Sequence, residues 1–355
     1  MARQDHCVPT LPAIVQKIRN PDTNEVGVGL AMKYQTSEWL QRPPLSTARV
    51  GLAGATANGH IYAIAGFAED DVFGSVEVRS RRGDPTWHPA PALTTPRANS
   101  AADTVDHLVY VVGGLLDDTV LRSVERFDSR TNGPWRASRD LPEPRAQAGV
   151  AAHRKLLYVA GGVVENGVTR SMVAYDVDKD RWIDRAPPPE PGRFLLRLVE
   201  ARDHLYAIGG FDSADRALTL VDRYDPAHDR WERMAPLNEP RGNCGVATSG
   251  RGRRHIVAVG GIDRFGGGGT LSRTSEVYDI DANEWETLNV QLAHGRGSLV
   301  CALENRNTVL AIGGGMRKDD GTSAATGMVE ALHIRLLGDD DDDQDEDEDG
   351  DQEDN

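Results

Sequence analysis

The sequence predicts an all-β protein in which six copies of a four-stranded antiparallel sheet close into a ring. Three observations carry that expectation. All six tryptophans, Trp39, Trp87, Trp135, Trp182, Trp231 and Trp285, follow one another at 48, 48, 47, 49 and 54 residues, and a period of this length marks a repeat architecture. In the same frame an apolar run closes on glycine six times, at Gly66, Gly114, Gly162, Gly210, Gly261 and Gly314. Six arginines, Arg49, Arg97, Arg145, Arg193, Arg241 and Arg296, stand 17, 17, 17, 17, 20 and 18 residues before those glycines.

Within each copy the run before the glycines is rich in Val, Ile and Tyr and lacks helical spacing, so it reads as a strand buried on both faces. The segment after each arginine, as in Arg145–His153, gives a first strand. The segment from Ser275 (SEVYDI) gives a third and the Trp segment a fourth, with Asn, Gly, Asp or Pro in the turns. A glycine pair permits a positive φ or a bulge, and is expected to admit an aromatic ring from the neighbouring sheet.

One such sheet exposes apolar surface on both faces and needs neighbours to cover it. Six arranged radially leave only short edges, which makes a six-bladed β-propeller. The sixth copy has no closing tryptophan, while Trp39 has no first three strands before it. A segment from about Gly29 to Trp39 is therefore expected to supply the outermost strand of the last blade. The chain divides into an N-terminal extension (1–28), the propeller (29–337) and an acidic tail (338–355) expected to be disordered. Within the extension, Leu11–Ile18 suits one helix or a capping strand.

An Arg after Pro or Gly, a strand ending Gly-Gly, then Tyr-Asp with Trp seven residues after the Tyr (Tyr175 and Trp182, Tyr224 and Trp231, Tyr278 and Trp285) together resemble the kelch repeat over about residues 30–337. The first copy departs with Ala65-Gly66 and the sixth with Leu332 in place of Tyr. The resemblance implies strand exchange between the chain ends and a partner-binding face at the loops joining second and third strands. Kelch propellers also include copper oxidases and sialic acid mutarotases. A sugar-modifying, mutarotase-like enzyme is therefore the alternative to a non-catalytic interaction module acting as a substrate-recognition adaptor. Kelch adaptors of cullin ubiquitin ligases usually carry BTB and BACK domains, for which residues 1–28 are too short, and no F-box is evident.

The formal charge is −15, but 13 of the 55 Asp and Glu lie in residues 339–355, leaving 42 acidic against 40 basic groups elsewhere. The body is nearly neutral and the tail carries the acidity. The tail reads either as a solubilising appendage or as a segment for a basic protein; its sign opposes nucleic-acid binding. No run approaches 18 apolar residues, which speaks against a membrane helix. Cys7, Cys244 and Cys301 form no CxxC pair, favouring a reducing, cytoplasmic setting, with the nucleus as the other choice. A monomer without cofactor is expected.

No catalytic residue and no metal site emerges. His60, His107, His153, His204 and His255 are spread around the ring, at the face opposite the arginines. Asp176, Asp178 and Asp180 resemble a calcium loop, yet Arg181 occupies the glycine position and no Glu stands at the twelfth. Cys244 and Cys301 fall in first strands and read as small core residues.

The arginine at the start of a first strand and the residue after Gly-Gly emerge at one rim. The ligand-binding candidates on it are Arg97, Arg145, Arg193, Arg241 and Arg296, then Asn99, Gln147, Asn243 and Ser298 two residues on, and Phe67 and Phe211 after the glycines. Guanidinium forks and amides suit a protein or peptide partner carrying carboxylates. The competing reading is that a residue present in every repeat is scaffold. Specificity is expected in the variable second-to-third-strand loops, from Leu115–Asp118 to Ile262–Gly269. A tail folded onto an arginine face would act as an internal competitor.

Overall fold

Short runs of Val, Ile, Leu and Ala separated by turn residues leave each repeat four strands and, among the described residues, no helix. The computed structural model describes residues 34–336 apart from 251, 267 and 319, together with two short strands, Ile18–Arg19 and Val26–Gly27, paired antiparallel. The expected boundary at 28/29, the Leu11–Ile18 segment up to its last residue and the tail 338–355 lie outside the described residues.

The third repeat shows the plan. Gly149–His153, Leu156–Ala160, Met172–Asp176 and Arg181–Arg185 form one antiparallel sheet in sequence order. Six such sheets occur, and their innermost strands, Ala53–Ala57, Ala101–Val105, Gly149–His153, Arg197–Ala201, Gly245–Ser249 and Val300–Asn305, touch in succession, the last meeting the first. This is the expected six-bladed propeller. In the sixth blade the outer strand comes from the other end of the chain: Leu40–Arg42 pairs with Val329–Ala331, and Tyr34–Thr36 adds to the same sheet. Closure by an upstream strand holds: one piece, Tyr34–Thr36, lies within the expected Gly29–Trp39 segment and the other, Leu40–Arg42, just after it, with Trp39 falling between the two. Trp87 and Trp135 likewise precede their outer strands instead of lying in them.

The repeated residues hold blade to blade. Tyr62 meets Phe127, Tyr110 meets Tyr175, Tyr158 meets Tyr224 and Tyr206 meets Tyr278, each edge to face at 5.7–6.0 Å across a blade boundary, the geometry that aromatic quadrupoles favour. Trp135, Trp231 and Trp285 donate their indole N–H to carbonyls of the preceding blade at Pro91, Ala186 and Ala235. Tyr224 donates to Asp229, whose oxygen also receives the Ala186 N–H. The Asp of the Tyr-Asp-Trp pattern's turn is thus an interblade tie, and Asp180 does the same work with Tyr175 and Arg139. Replacing Trp231 by Phe keeps a ring against Tyr224 but removes the bond to Ala186; urea unfolding should show a loss of about 1 kcal/mol.

The second glycine of each pair donates its N–H to the carbonyl of the next blade's arginine, six times around the ring, the sixth from Gly314 to Arg49. A Cβ on the first glycine would lie against that same carbonyl, 2.0 Å from Arg145 at Gly113 and 2.2 Å from Arg241 at Gly209. Backbone, not an aromatic ring, is what comes close here, which corrects the expectation from sequence.

Candidate functional site

The six arginines begin their first strands at the expected rim, but they point inward. All are between 0% and 3% exposed. In the second blade Arg97 donates to the carbonyls of Gly113 and Ser123 and to the Glu125 carboxylate, the last at 2.7 Å. Glu125 also accepts the N–H groups of Thr94 and Thr95 and the Thr94 hydroxyl. Arg49, Arg193, Arg241 and Arg296 repeat the arrangement with Glu77, Asp222, Glu276 and Glu330. Burial pulls the guanidinium groups of Arg49, Arg97, Arg193 and Arg296 down, Arg193 to about 10, against the opposing pull of the paired carboxylate. Arg145 is the exception: Val173 occupies the carboxylate position, and only the half-exposed Glu143 approaches, at 3.8 Å. Arg97, Arg145, Arg193, Arg241 and Arg296 are therefore buried and direct their terminal N–H groups to acceptors inside their own blades. The scaffold reading is the correct one for them.

Two residues after each arginine the backbone turns left-handed, at Gly51, Asn99, Gln147, Leu195, Asn243 and Ser298, with φ between 50° and 62°. Each of the last five donates its N–H to the carbonyl of its counterpart in the preceding blade, at 2.7–3.0 Å. That conformation explains the amide and small side chains, because Asn and Gly tolerate it best. Asn243 is buried and donates to the Ser298 hydroxyl, while Asn99, Gln147 and Ser298 remain half-buried around the axis. Phe67 is half-buried on the loop face, but Phe211 is fully buried.

The loops joining second and third strands stand on this face as hairpins: Phe67–Val72, Leu115–Val120, Val163–Val168 and Gly315–Ala325. In the first three, half-buried Phe67, Val72, Leu115, Leu116, Val163 and Val168 lie below exposed polar tips. The loops of blades four and five are joined instead, through Phe265 N–H to the Asp215 carbonyl and Ala217 N–H to the Asp263 carbonyl. There Phe265, 36% exposed, packs on Phe194 and Phe211 at 5.1 and 5.6 Å. Phe194 escaped the reading of the sequence. Its signal was present, since it follows Arg193 where the other blades have Val50, Ala98, Ala146, Gly242 and Gly297.

The innermost strands line a central cavity of about 720 Å³ that runs from Ser100 and Leu196 to the turns at Asp106, Arg154, Asp203 and Arg253 on the opposite face. Arg197 reaches along its wall to the carbonyls of Cys244 in the next blade and Leu299 in the one after. Deeper along it, Asp103 accepts the N–H groups of Thr104 and Ala152, and burial pushes its carboxyl up. Arg253 pairs with Glu200. Burial pushes the Cys301 thiol up to about 12, so it is no nucleophile near neutrality. Sequence reasoning missed Asp103, Glu200 and Arg253 as a group because they come from three different repeats. No set of three or more metal-ligating side chains converges among the described residues.

The scaffold so described is a six-bladed propeller whose repeated residues are internal ties. The family model described as Kelch motif matches residues 96–132, 144–189 and 194–238, so the chain carries kelch motifs on its propeller. It is 31% identical to Kelch-like protein 23 of Pongo abelii over 135 residues, 36% of this chain and 21% of that protein. Similarity to Kelch-like protein 36 of Mus musculus is 32% over 142 residues, 38% of this chain and 22% of the relative. F-box/kelch-repeat protein OR23 of Arabidopsis thaliana is 31% identical over 97 residues, 24% of this chain and 22% of its own length. The chain thus spans about a fifth of these relatives. The solved structure described as "Structure of YjhT" shares the fold, with a TM-score of 0.69 at 17% identity over 83% of this chain and 99% of that one.

Proposed function

We propose that the protein is a non-catalytic interaction module that holds a protein or peptide on the loop face of the propeller. The observation that carries this reading is the division of labour on that face. The repeated arginines there are buried and bonded within their blades, while the hairpins differ blade by blade and leave Phe265 and a row of half-buried aliphatic side chains at the surface. Variable loops on a rigid scaffold are where recognition concentrates, and large exposed aromatics anchor interfaces. Similarity to kelch-like proteins supports the same class.

The test is selection of displayed random peptides on the immobilised full chain, followed by binding of the selected peptides to Phe265→Ala, to Leu115→Ala/Leu116→Ala and to Asp103→Asn. Binding should fall at least tenfold in a loop-face variant, with Phe265→Ala costing only about 1 kcal/mol of stability, and should survive Asp103→Asn. Peptides lost only with Asp103→Asn would overturn the reading.

A second reading, turnover of a small sugar in the central cavity, has one observation in its favour: the Asp103 carboxyl, pushed up by burial, faces a polar channel. Anomer exchange of sialic acid followed by NMR, accelerated by the protein and abolished by Asp103→Asn, would establish it.

A further inference from the structure

We propose that the partner held by the hairpins of blades one to three is a basic segment, with Lys or Arg flanking an apolar residue. This rests on the loop-face reading and specifies its chemistry. The sequence alone suggests the reverse, an acidic partner met by arginines, but those arginines are internal and nearly all are neutralised by buried carboxylates. What remains on the hairpins of blades one to three has the other sign. The hairpins Phe67–Val72, Leu115–Val120 and Val163–Val168 carry Glu69, Asp70, Asp71, Asp117, Asp118 and Glu165 and no Lys or Arg. All six are exposed, and none has an ion-pair partner among the described residues. The nearest arginines that follow, Arg122 and Arg170, are occupied by Asp140 and by Glu190.

Within each hairpin apolar residues flank these carboxylates. Phe67, Val72, Leu115, Leu116, Val163 and Val168 are half-buried directly beneath the charged tips, so a segment lying across the three hairpins meets apolar contact at their bases and carboxylates at their ends. An apolar side chain with cationic neighbours satisfies both, whereas an acidic segment would set like charges face to face. The acidic residues 339–355 carry the sign of these three hairpins and do not complement them.

The experiment uses the full chain and a random twelve-residue peptide library displayed on phage. Enriched sequences should favour Lys and Arg over Asp and Glu around one apolar position. A selected peptide, measured by fluorescence anisotropy, should bind about tenfold more weakly to Asp117→Lys/Asp118→Lys/Glu165→Lys, with a smaller loss in the neutral variant Asp117→Asn/Asp118→Asn/Glu165→Gln. Its affinity should also fall as ionic strength rises. Substitution at these exposed tips leaves the blades' internal bonds intact, and an unchanged melting curve confirms folding. Acidic or uncharged peptides that depend on Phe265 but ignore the charge reversal would overturn the basic-partner inference and leave the loop-face reading standing. Peptides that ignore every hairpin variant, or no enrichment at all, would overturn both.

Discussion

Replacing Glu125 by Ala should destabilise the protein by about 3–5 kcal/mol, measured by urea unfolding, because it strands a buried guanidinium without its counter-ion. Four donors lose their acceptor together: Arg97, the N–H groups of Thr94 and Thr95, and the Thr94 hydroxyl. Arg97 cannot turn to solvent, being 0% exposed. The control lies in the third blade. Glu143, 44% exposed and 3.8 Å from Arg145, is a surface-type pair, and Glu143→Ala should cost less than about 1 kcal/mol. Equal costs at the two positions would mean that the arginine network does not hold the blades as described.

Gly162→Ala should be nearly as damaging, about 3–5 kcal/mol. Its φ is +96°, outside the left-handed well that Ala tolerates, and a Cβ there would lie 2.5 Å from the Ala146 carbonyl and 3.0 Å from the Ala148 nitrogen. Backbone strain and overpacking each contribute about 1–3 kcal/mol. Gly59→Ala serves for comparison: its φ is +70° but nothing lies within 4 Å, so about 1 kcal/mol is expected. The φ angle also separates the two positions of the glycine pair. Ala65 sits at the first glycine position with φ 59°, where Ala is strained but allowed. The second position stays glycine in every blade, with φ from 95° to 103°.

The ring was legible in the sequence because each repeated residue is tied to main chain, of its own blade or of a neighbour, and such ties tolerate little substitution. Tryptophan, the second glycine and the arginine all bond main-chain groups, so they recur at fixed spacing whatever the surface does. The role of the arginines was misread for the same reason. Their carboxylates lie in third strands, 28 to 35 residues on, and the acidic residue of Ser-Val-Glu at Glu77 and Glu125 was the available signal. The exact placement of the closing strand was not legible, because strand ends in the sixth blade are set by pairing with Val329–Ala331 and no local residue announces it. The channel group of Asp103, Glu200 and Arg253 exists only after closure. Phe265 could be seen as a loop residue, but its seat on Phe194 and Phe211 required the joining of two loops.

The central claim is that recognition belongs to the variable hairpins and not to the arginine ring or the channel. Hydrogen–deuterium exchange of the full chain with and without a selected peptide tests it directly. Added protection should fall on amides of residues 67–72, 115–120, 163–168 and 262–271, with the turns at 106–107, 154–155 and 202–203 unchanged. Protection confined to those turns, at the far mouth of the channel, would contradict the account.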